Sequence, residues 1–306
     1  MKIFTTEIID EIIKKYNMGY PISRFDSIWY NRMEGVRRAG IKMSYTDKEL
    51  NEYAKCYHSV KYFAETYCKI KLEDGSIGNM ELRDYQKDIL NRFDNRFLIE
   101  FTSRQCGISA INAIYFLHSA MFSDEPKNIL LIANKTIESK ELVRKIKDIY
   151  KLIPFFLKKG VTNWNEKQII FENGSHIMTF SASKNFGVGF DVDIILIEDL
   201  AQIPYGERFF DSVFSVISKI KDSRIIIQSR SNGFNFFYDL VKKSELPEGH
   251  PEKNSFKTIR VYWWQVPGRD EKWKQEQIKM IGGELIFRQE YELAFIGYKY
   301  SVEIET

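Results

Sequence analysis

The chain has 306 residues, 44% of them hydrophobic and 28% charged, with 23 Phe and 17 Tyr, which suits one large α/β domain or two modest ones and excludes wholesale disorder. Lys plus Arg number 45 against 42 Asp plus Glu, a net charge of +3, so any site for a polyanion must be a local patch. Three cysteines (Cys56, Cys68 and Cys106) without a CxxC pair, and histidines scattered at His58, His118, His176 and His250, argue against a disulfide framework or a structural zinc site.

The first residues, MKIFTTEIIDEIIKKY, carry acids inside the apolar pattern, unlike a secretory signal. No apolar run reaches the roughly 18 residues of a membrane span, and a reducing cytoplasm is the expected compartment. Thr6 precedes a helical pattern with Ile8, Ile9, Ile12 and Ile13 on one face. A second helical stretch is expected from Asp47 to Ile70, with Tyr53, Cys56, Tyr57, Val60, Phe63, Ala64 and Tyr67 at helical spacing. The segment DGSIGN, Asp74 to Asn79, reads as a turn or loop.

From Leu82 short apolar strands alternate with amphipathic helices. RFLIEFT (Arg96 to Thr102), NILLIA (Asn128 to Ala133), DIILI (Asp193 to Ile197) and RIIIQ (Arg224 to Gln228) read as buried strands. Helices are expected over Ala110 to Phe122 and along a long segment with Leu142, Ile146, Ile149, Tyr150 and Ile153 on one face. Ile169 to Phe171 and His176 to Phe180 flank an ENGS turn, a hairpin signal. This alternation predicts a parallel sheet with helices on both faces. From about Ser255, strand-like KTIRVYWW precedes helices at Glu271 to Ile281 and Glu284 to Ala294.

Five constellations carry candidate chemistry. In T-S-R-Q-C-G-I-S-A, Thr102 to Ala110, a strand runs through a short polar loop into a helix, the geometry in which backbone N–H groups face an anion. Gly107 permits close backbone approach and Ser109 would ligate Mg²⁺. The GxxxxGK[ST] signature lacks its first Gly here, and Ile108 stands at the Lys position; an ordinary strand-to-helix turn is the alternative. D-I-I-L-I-E-D, Asp193 to Asp199, puts two carboxylates at the carboxyl edge of a buried strand, where a magnesium ligand and a water-activating acid sit in nucleotide hydrolases; the alternative is an acidic helix cap.

In L-R-D-Y-Q, Leu82 to Gln86, the Gln would read the N6 and N7 edge of adenine and the Tyr would stack on it. The alternative is a helix start capped by Asp84. S-R-S-N-G-F-N-F-F-Y-D, Ser229 to Asp239, reads as a strand-turn-helix junction. The helix from Ser139 to Leu157 carries Lys140, Arg144, Lys147 and Lys151 on its polar face. Lys135 to Gly160 holds eight basic residues against three acids. That stripe is either a solvated face or a contact for phosphates.

In this order the segments resemble the ATPase region of the large terminase subunit of tailed bacteriophages, the motor that pumps DNA into the procapsid. Agreement runs from about Asp47 to Gly297, through YAKCYHSVKYFAETYCKI, LRDYQKDIL, the SRQ-x-G-x-S loop, VTNWNEKQIIFENGSHIMTFSAS, I-E-D-L-A-Q-I-P and SNGFNFFYDL. The most specific stretch is VYWWQVPGRDEKWKQEQIKMIGGELIFRQEYELAFIG. The resemblance implies an α/β fold with a doubly wound, mostly parallel sheet of the P-loop NTPase, ASCE type, and a smaller lid subdomain from both chain ends. Residues 1–75 would be the helical part of that lid, residues 76–254 the ATPase core, and residues 255–306 the rest of the lid and the start of a linker. ATP and Mg²⁺ would bind between core and lid.

Carried over residue by residue, Tyr85 and Gln86 would meet adenine, and Ser103, Gln105, Gly107, Ile108 and Ser109 would form the phosphate loop. Arg104 would act as arginine finger or sensor. Glu198 would be the Walker B magnesium ligand beside Ser109, Asp199 the catalytic acid, and Ser229, Arg230 and Asn232 part of the coupling motif. Lys140, Arg144, Lys147 and Lys151 would contribute to a DNA surface. The implied partners are double-stranded viral DNA, a portal protein and a small terminase subunit. The implied assembly is a pentameric ring on the portal and a monomer in isolation, in the host cytoplasm, without a membrane.

The departures from that pattern matter as much. Neither Ile108 nor Thr102 and Ser103 supplies the loop Lys. Glu198 and Asp199 reverse the usual order of Asp then Glu. Gly187-Val188-Gly189 lacks an Arg, and Arg230 and Ser231 replace a Thr- or Ser-rich motif with Pro. An Arg230 side chain near the phosphates would replace the missing charge. The nuclease domain of full-length relatives has no counterpart before Thr306. Three readings follow: a motor domain with weakened hydrolysis, a catalytically silent homologue with a structural or regulatory role in virus assembly, and a helicase-like translocase.

Overall fold

The computed structural model describes residues 28–71, 75–183, 189, 191–217 and 221–297. The helix expected at Ile8 to Ile13 and the pair Gly187-Val188 lie outside the described residues. In chain order the strands are β1 (Lys69–Lys71), β2 (Ile77–Asn79), β3 (Phe97–Thr102), β4 (Asn128–Ala133), β5 (Val161–Asn165), β6 (Gln168–Phe171), β7 (His176–Ser181), β8 (Ile194–Glu198), β9 (Arg224–Ser229) and β10 (Lys257–Val261). The helices are α1 (Asp47–His58), α2 (Val60–Tyr67), α3 (Asp84–Arg92), α4 (Ile108–Phe122), α5 (Thr136–Leu152), α6 (Gly206–Ile217), α7 (Phe236–Ser244), α8 (Glu271–Ile281) and α9 (Glu284–Tyr291).

β3 to β10 form one eight-stranded sheet in the order β10-β3-β9-β8-β4-β7-β6-β5. β10 with β3, β3 with β9 and β9 with β8 pair in parallel, whereas β5 with β6 and β6 with β7 pair antiparallel. The near-continuous burial of β3, β4 and β8 accounts for their largely apolar sequences, since a strand covered on both faces has no solvent side; Glu100, buried in β3, is the exception. By contacts the chain divides into two compact units, Met1–Leu82 with Ser109–Ile129 and Lys140–Thr179, and Arg83–Ile108 with Leu130–Ser139 and Phe180–Thr306.

In the first unit, the single helix expected from Asp47 to Ile70 is two. Thr46 and Glu49 make a reciprocal capping box at the start of α1. At Ser59 the backbone turns extended and the hydroxyl accepts the Tyr62 N–H at 3.1 Å, so a local cap outcompetes helix continuation. The helix then stops at Tyr67, and Lys69–Lys71 pairs antiparallel with Ile77–Asn79, so part of the expected DGSIGN loop is strand. The imidazole of His118 on α4 sits 2.7 Å from the Cys56 carbonyl, and Phe122 packs edge-on against Tyr53 and Phe63. β5 was not foreseen; its Val161 N–H donates to Arg37 O at 2.8 Å and its Val161 O accepts from Ala39 N–H at 3.1 Å.

In the second unit, Lys257–Val261 was expected in the C-terminal part of a lid, but it pairs along β3 from Lys257↔Leu98 to Val261↔Thr102 and belongs to the sheet. Its inward residues Ile259 and Val261 are buried, which is what draws it in. α8 ends at Gly282, whose φ of +99° suits glycine. α9 ends at Tyr291, short of the expected Ala294, because Leu293 turns to φ +58°. Trp263, Phe287 and Tyr291 form a buried cluster with Trp273 packed on it.

Candidate active site

β3 ends at Thr102 and α4 starts at Ile108. The loop between them takes left-handed conformations at Gln105 (φ +58°) and Gly107 (φ +75°). It is held by four segments of the second unit. Ser103 N–H donates to Val261 O of β10 at 2.8 Å, and Arg104 N–H to Glu290 O of α9 at 3.0 Å. The Arg269 guanidinium, resting over the Trp273 ring, donates to Arg104 O at 3.1 Å and Gln105 O at 2.8 Å. From α3, the Tyr85 hydroxyl donates to Cys106 O at 2.8 Å. Arg104, Gln105 and Gly107 remain exposed, while Ser103 and Ile108 are buried and Ser109 is half-buried.

The structure therefore brings Tyr85 and Gln86 to the loop, with their polar atoms engaged there. Gln86 is buried; its carbonyl accepts from Arg83 N–H at 3.0 Å, closing the start of α3. Burial pushes the Tyr85 phenol and the Cys106 thiol up from their ordinary ranges. Ile108 is 3% exposed, so an apolar side chain fills the position where the signature has its Lys.

β8 delivers Glu198 at its last position, and Asp199 follows in a left-handed conformation, φ +51°. That turn is fixed by Asp199 N–H donating to Gln228 O at 2.7 Å. Arg230, just past β9, donates through Nη2 to Asp199 Oδ2 at 3.1 Å and through Nη1 to Glu290 Oε2. Arg104 Nη1 is 3.6 Å from that same Glu290 oxygen. Desolvation alone would lower the Arg230 pKa, but the carboxylates of Asp199 and Glu290 outweigh it and hold the guanidinium above its ordinary range.

The residues around Arg230 brace this cluster. Ser229 Oγ accepts from Ala201 N–H at 3.1 Å, and Asn232 Nδ2 donates to Ala201 O at 3.0 Å and Gln202 Oε1 at 3.1 Å. Ser231 Oγ donates to Gln289 O at 2.7 Å, reaching α9. Sequence reasoning missed Glu290 and Arg269. Both lie in the stretch quoted as most specific, F-R-Q-E-Y and V-P-G-R-D, and that was the available signal. It also missed a polar row across three strands. Register pairs Glu100 with Gln228 and Gln228 with Glu198, so their side chains share one face of the sheet, and Glu100 is fully buried.

Lys140, Arg144, Lys147 and Lys151 lie in the first unit, on α5. Lys140 pairs with Glu166 at 2.5 Å, and Arg144 with Glu141 and with Asp148 at 2.9 Å. Lys147 donates to Asn165 O and lies 4.9 Å from the centre of the Trp164 ring; burial pushes its ammonium down to about 8. Lys151 is exposed. Among the described residues no group of three or more His, Cys, Asp or Glu gathers as a metal cluster, and no helix is long and apolar enough to cross a membrane.

A parallel sheet running from β3 into a glycine-bearing loop and helix, with acids at the end of β8 and one strand inserted between, is the P-loop ASCE ATPase fold. Solved structures share it. The large terminase ATPase domain of Thermus phage P74-26 matches with TM-score 0.54 at 20% identity, over 71% of this chain and 95% of that one. The large terminase of bacteriophage HK97 matches with TM-score 0.62 at 15% identity, over 78% of this chain and 54% of that one. A large terminase of a thermophilic bacteriophage in complex with ADP matches with TM-score 0.53 at 14% identity, over 70% and 54%. The chain spans about half the length of the latter two. Residues 101–302 match the family described as terminase large subunit, T4likevirus-type, N-terminal. The chain belongs to that family.

Proposed function

We propose that this chain is the ATPase motor domain of a phage terminase large subunit, coupling ATP binding and hydrolysis to translocation of double-stranded viral DNA into a procapsid, with hydrolysis slowed by its altered motifs. The observation that carries the reading is that, within one compact unit, Arg104 of the exposed loop and Arg230, which also holds Asp199, meet on one oxygen of Glu290. Family membership and a relative solved with ADP support it. The residues present suit the nucleotide: two guanidinium groups already converge on a carboxylate oxygen, and a carboxylate oxygen resembles a phosphoryl oxygen as an acceptor. Ser109 and Glu198 are oxygen donors of the kind Mg²⁺ takes; when bound, the ion would neutralise charge developing on the phosphates.

In this reading Tyr85 and Gln86 border the base, and residues Ser103 to Ser109 wrap the phosphates. Asp199 accepts the proton of the attacking water, and Ser229, Arg230 and Asn232 pass the state of the site to α9. The proposed partners are viral duplex DNA, a portal protein and a small terminase subunit, with a ring on the portal, in the host cytoplasm. A silent homologue is the second reading. It is favoured by the buried Ile108 and by the Arg230 bond that already holds Asp199. The test is steady-state ATP hydrolysis by the purified chain and by Asp199→Asn, with and without duplex DNA. Turnover below about 1 s⁻¹ that vanishes in the variant supports the motor. Nucleotide binding with no turnover above the variant selects the silent homologue. Absence of nucleotide binding overturns both.

A further inference from the structure

This inference rests on the nucleotide reading above and concerns which group supplies the missing positive charge. We propose that Arg230 is the polyphosphate-binding cation of this chain, taking the part of the Lys that Ile108 displaces, with Glu290 occupying its outer nitrogen until the anion arrives.

The geometry sets the roles of the two nitrogens. Arg230 Nη2 is bonded to Asp199 Oδ2 at 3.1 Å, and Nη1 to Glu290 Oε2. The guanidinium is planar and forked, so one nitrogen can keep Asp199 while the other changes partner. Its side chain is 24% exposed and that of Glu290 14%, so both charges are largely withdrawn from water, yet the group is reachable. Arg104, from the loop itself, approaches the same Glu290 oxygen at 3.6 Å. Two cations from different segments thus converge on one anionic oxygen beside the loop of Gly107. A phosphoryl oxygen is recognised in the same way.

The charges close. Arg104 and Arg230 face Asp199 and Glu290, two positive against two negative, a neutral set as it stands. A polyphosphate added next to Asp199 and Glu290 would meet like-charge repulsion. Withdrawal of Glu290 leaves Arg104 and Arg230 with one uncompensated positive charge, aimed where Glu290 Oε2 was. The backbone permits this withdrawal locally. Glu290 lies on the last turn of α9, one residue before its end at Tyr291.

The cation need not come from position 108. Ile108 is packed at 3% exposure, and Arg230 leaves the sheet directly after Ser229, whose neighbour across the register is Phe101, one residue before the end of β3. A strand adjacent to β3 therefore delivers to the loop the charge that the loop's own sequence omits.

The experiment measures ATP and inorganic tripolyphosphate binding by titration calorimetry. It uses the wild type, R230A, R230K, E290Q, and R230A combined with I108K. R230A should weaken both ligands at least tenfold, R230K should recover part, and I108K should restore binding to R230A. E290Q should tighten both severalfold. Because R230A takes from Asp199 and Glu290 the cation they share, the double variant R230Q with E290Q removes that cation and one carboxylate together; it folds with less repulsion and should still bind weakly. Wild type and R230A binding ATP equally would overturn the assignment and leave the nucleotide reading standing. Tripolyphosphate binding that depends on Arg230, with no extra affinity for ATP, would sustain the assignment and overturn the nucleotide reading.

Discussion

Gln86 lies so close over Gly107 that a Cβ on Gly107 would stand 2.9 Å from its amide nitrogen, a contact real side chains do not make. Gly107 also has φ +75°, so two independent constraints select glycine. Gly107→Ala should cost about 1–3 kcal/mol and displace Gln86 from the loop. Gly268, at φ +82° with nothing within 4 Å of a Cβ, carries the strain without the clash. In urea titrations the Gly107 variant should be the less stable of the two and should alone lose ATP binding; equal losses would mean that the contact with Gln86 contributes nothing.

The second prediction concerns acid stability. Burial pushes His118 down to about 4 from its ordinary 6.5, and its bond to the Cys56 carbonyl offsets part of that. Between pH 6.5 and 4 the unfolded chain binds this proton and the folded chain does not, so stability falls as pH falls through that window. The loss is on the order of 3 kcal/mol from this group. Unfolding free energy measured from pH 7 to pH 4 should fall more steeply in the wild type than in His118→Gln. Parallel curves would show that the imidazole already titrates in the folded state.

The third concerns the strand-end acids. The variant Ile108→Lys with Glu198→Asp and Asp199→Glu installs the acid order and the loop Lys that the sequence resemblance implies. It should raise ATP turnover, since a misplacement of about 1 Å can cost roughly 100-fold. Unchanged turnover, in a protein that still binds ATP, would place the limit elsewhere, with the Arg230 bond to Asp199 as the first candidate.

The fourth concerns DNA. Each phosphate contact contributes about 0.9 to the salt slope, so Lys140, Arg144, Lys147 and Lys151 together account for at most about 4. Two are in exposed ion pairs and one packs on Trp164, so the observed share should fall well below that ceiling. Duplex binding against salt, for the wild type and the fourfold Ala variant, reads it directly. Coincident slopes would return this face of α5 to a solvated role.

Much of the sheet was legible. β3, β4, β8 and β9 announce themselves because a strand buried on both faces is mostly apolar, whatever single polar residue it carries. The break at Ser59 was not legible: the flanking apolar residues keep helical spacing across it, and only the competition of a serine cap decides. The strand-to-helix loop and the placement of Glu198 and Asp199 at the end of β8 were legible because their spacing is local. Glu290, Arg269 and the row from Glu100 through Gln228 to Glu198 depend on which strands become neighbours, and β9 is inserted between β3 and β8 from more than a hundred residues downstream of β3. The partners of the basic stripe were hidden for the same reason: Trp164, Asn165 and Glu166, which engage it, lie on β5 and in the turn after it.

The bonds of Val161 to Arg37 and Ala39 have a consequence for how the chain can be handled. Among the described residues β5 is the last strand of the sheet on that side, and a bare margin of this kind offers N–H and C=O groups to any other chain. Residues Arg37 to Ala39 shield part of it, and the buried Arg37 side chain pins that cover through Ile41 O, Lys158 O and Glu172. A truncation beginning after Ile41 would leave the candidate-site residues intact in sequence, yet uncover the margin and invite self-association. Solubility should therefore drop before stability does when the chain is shortened from its amino end.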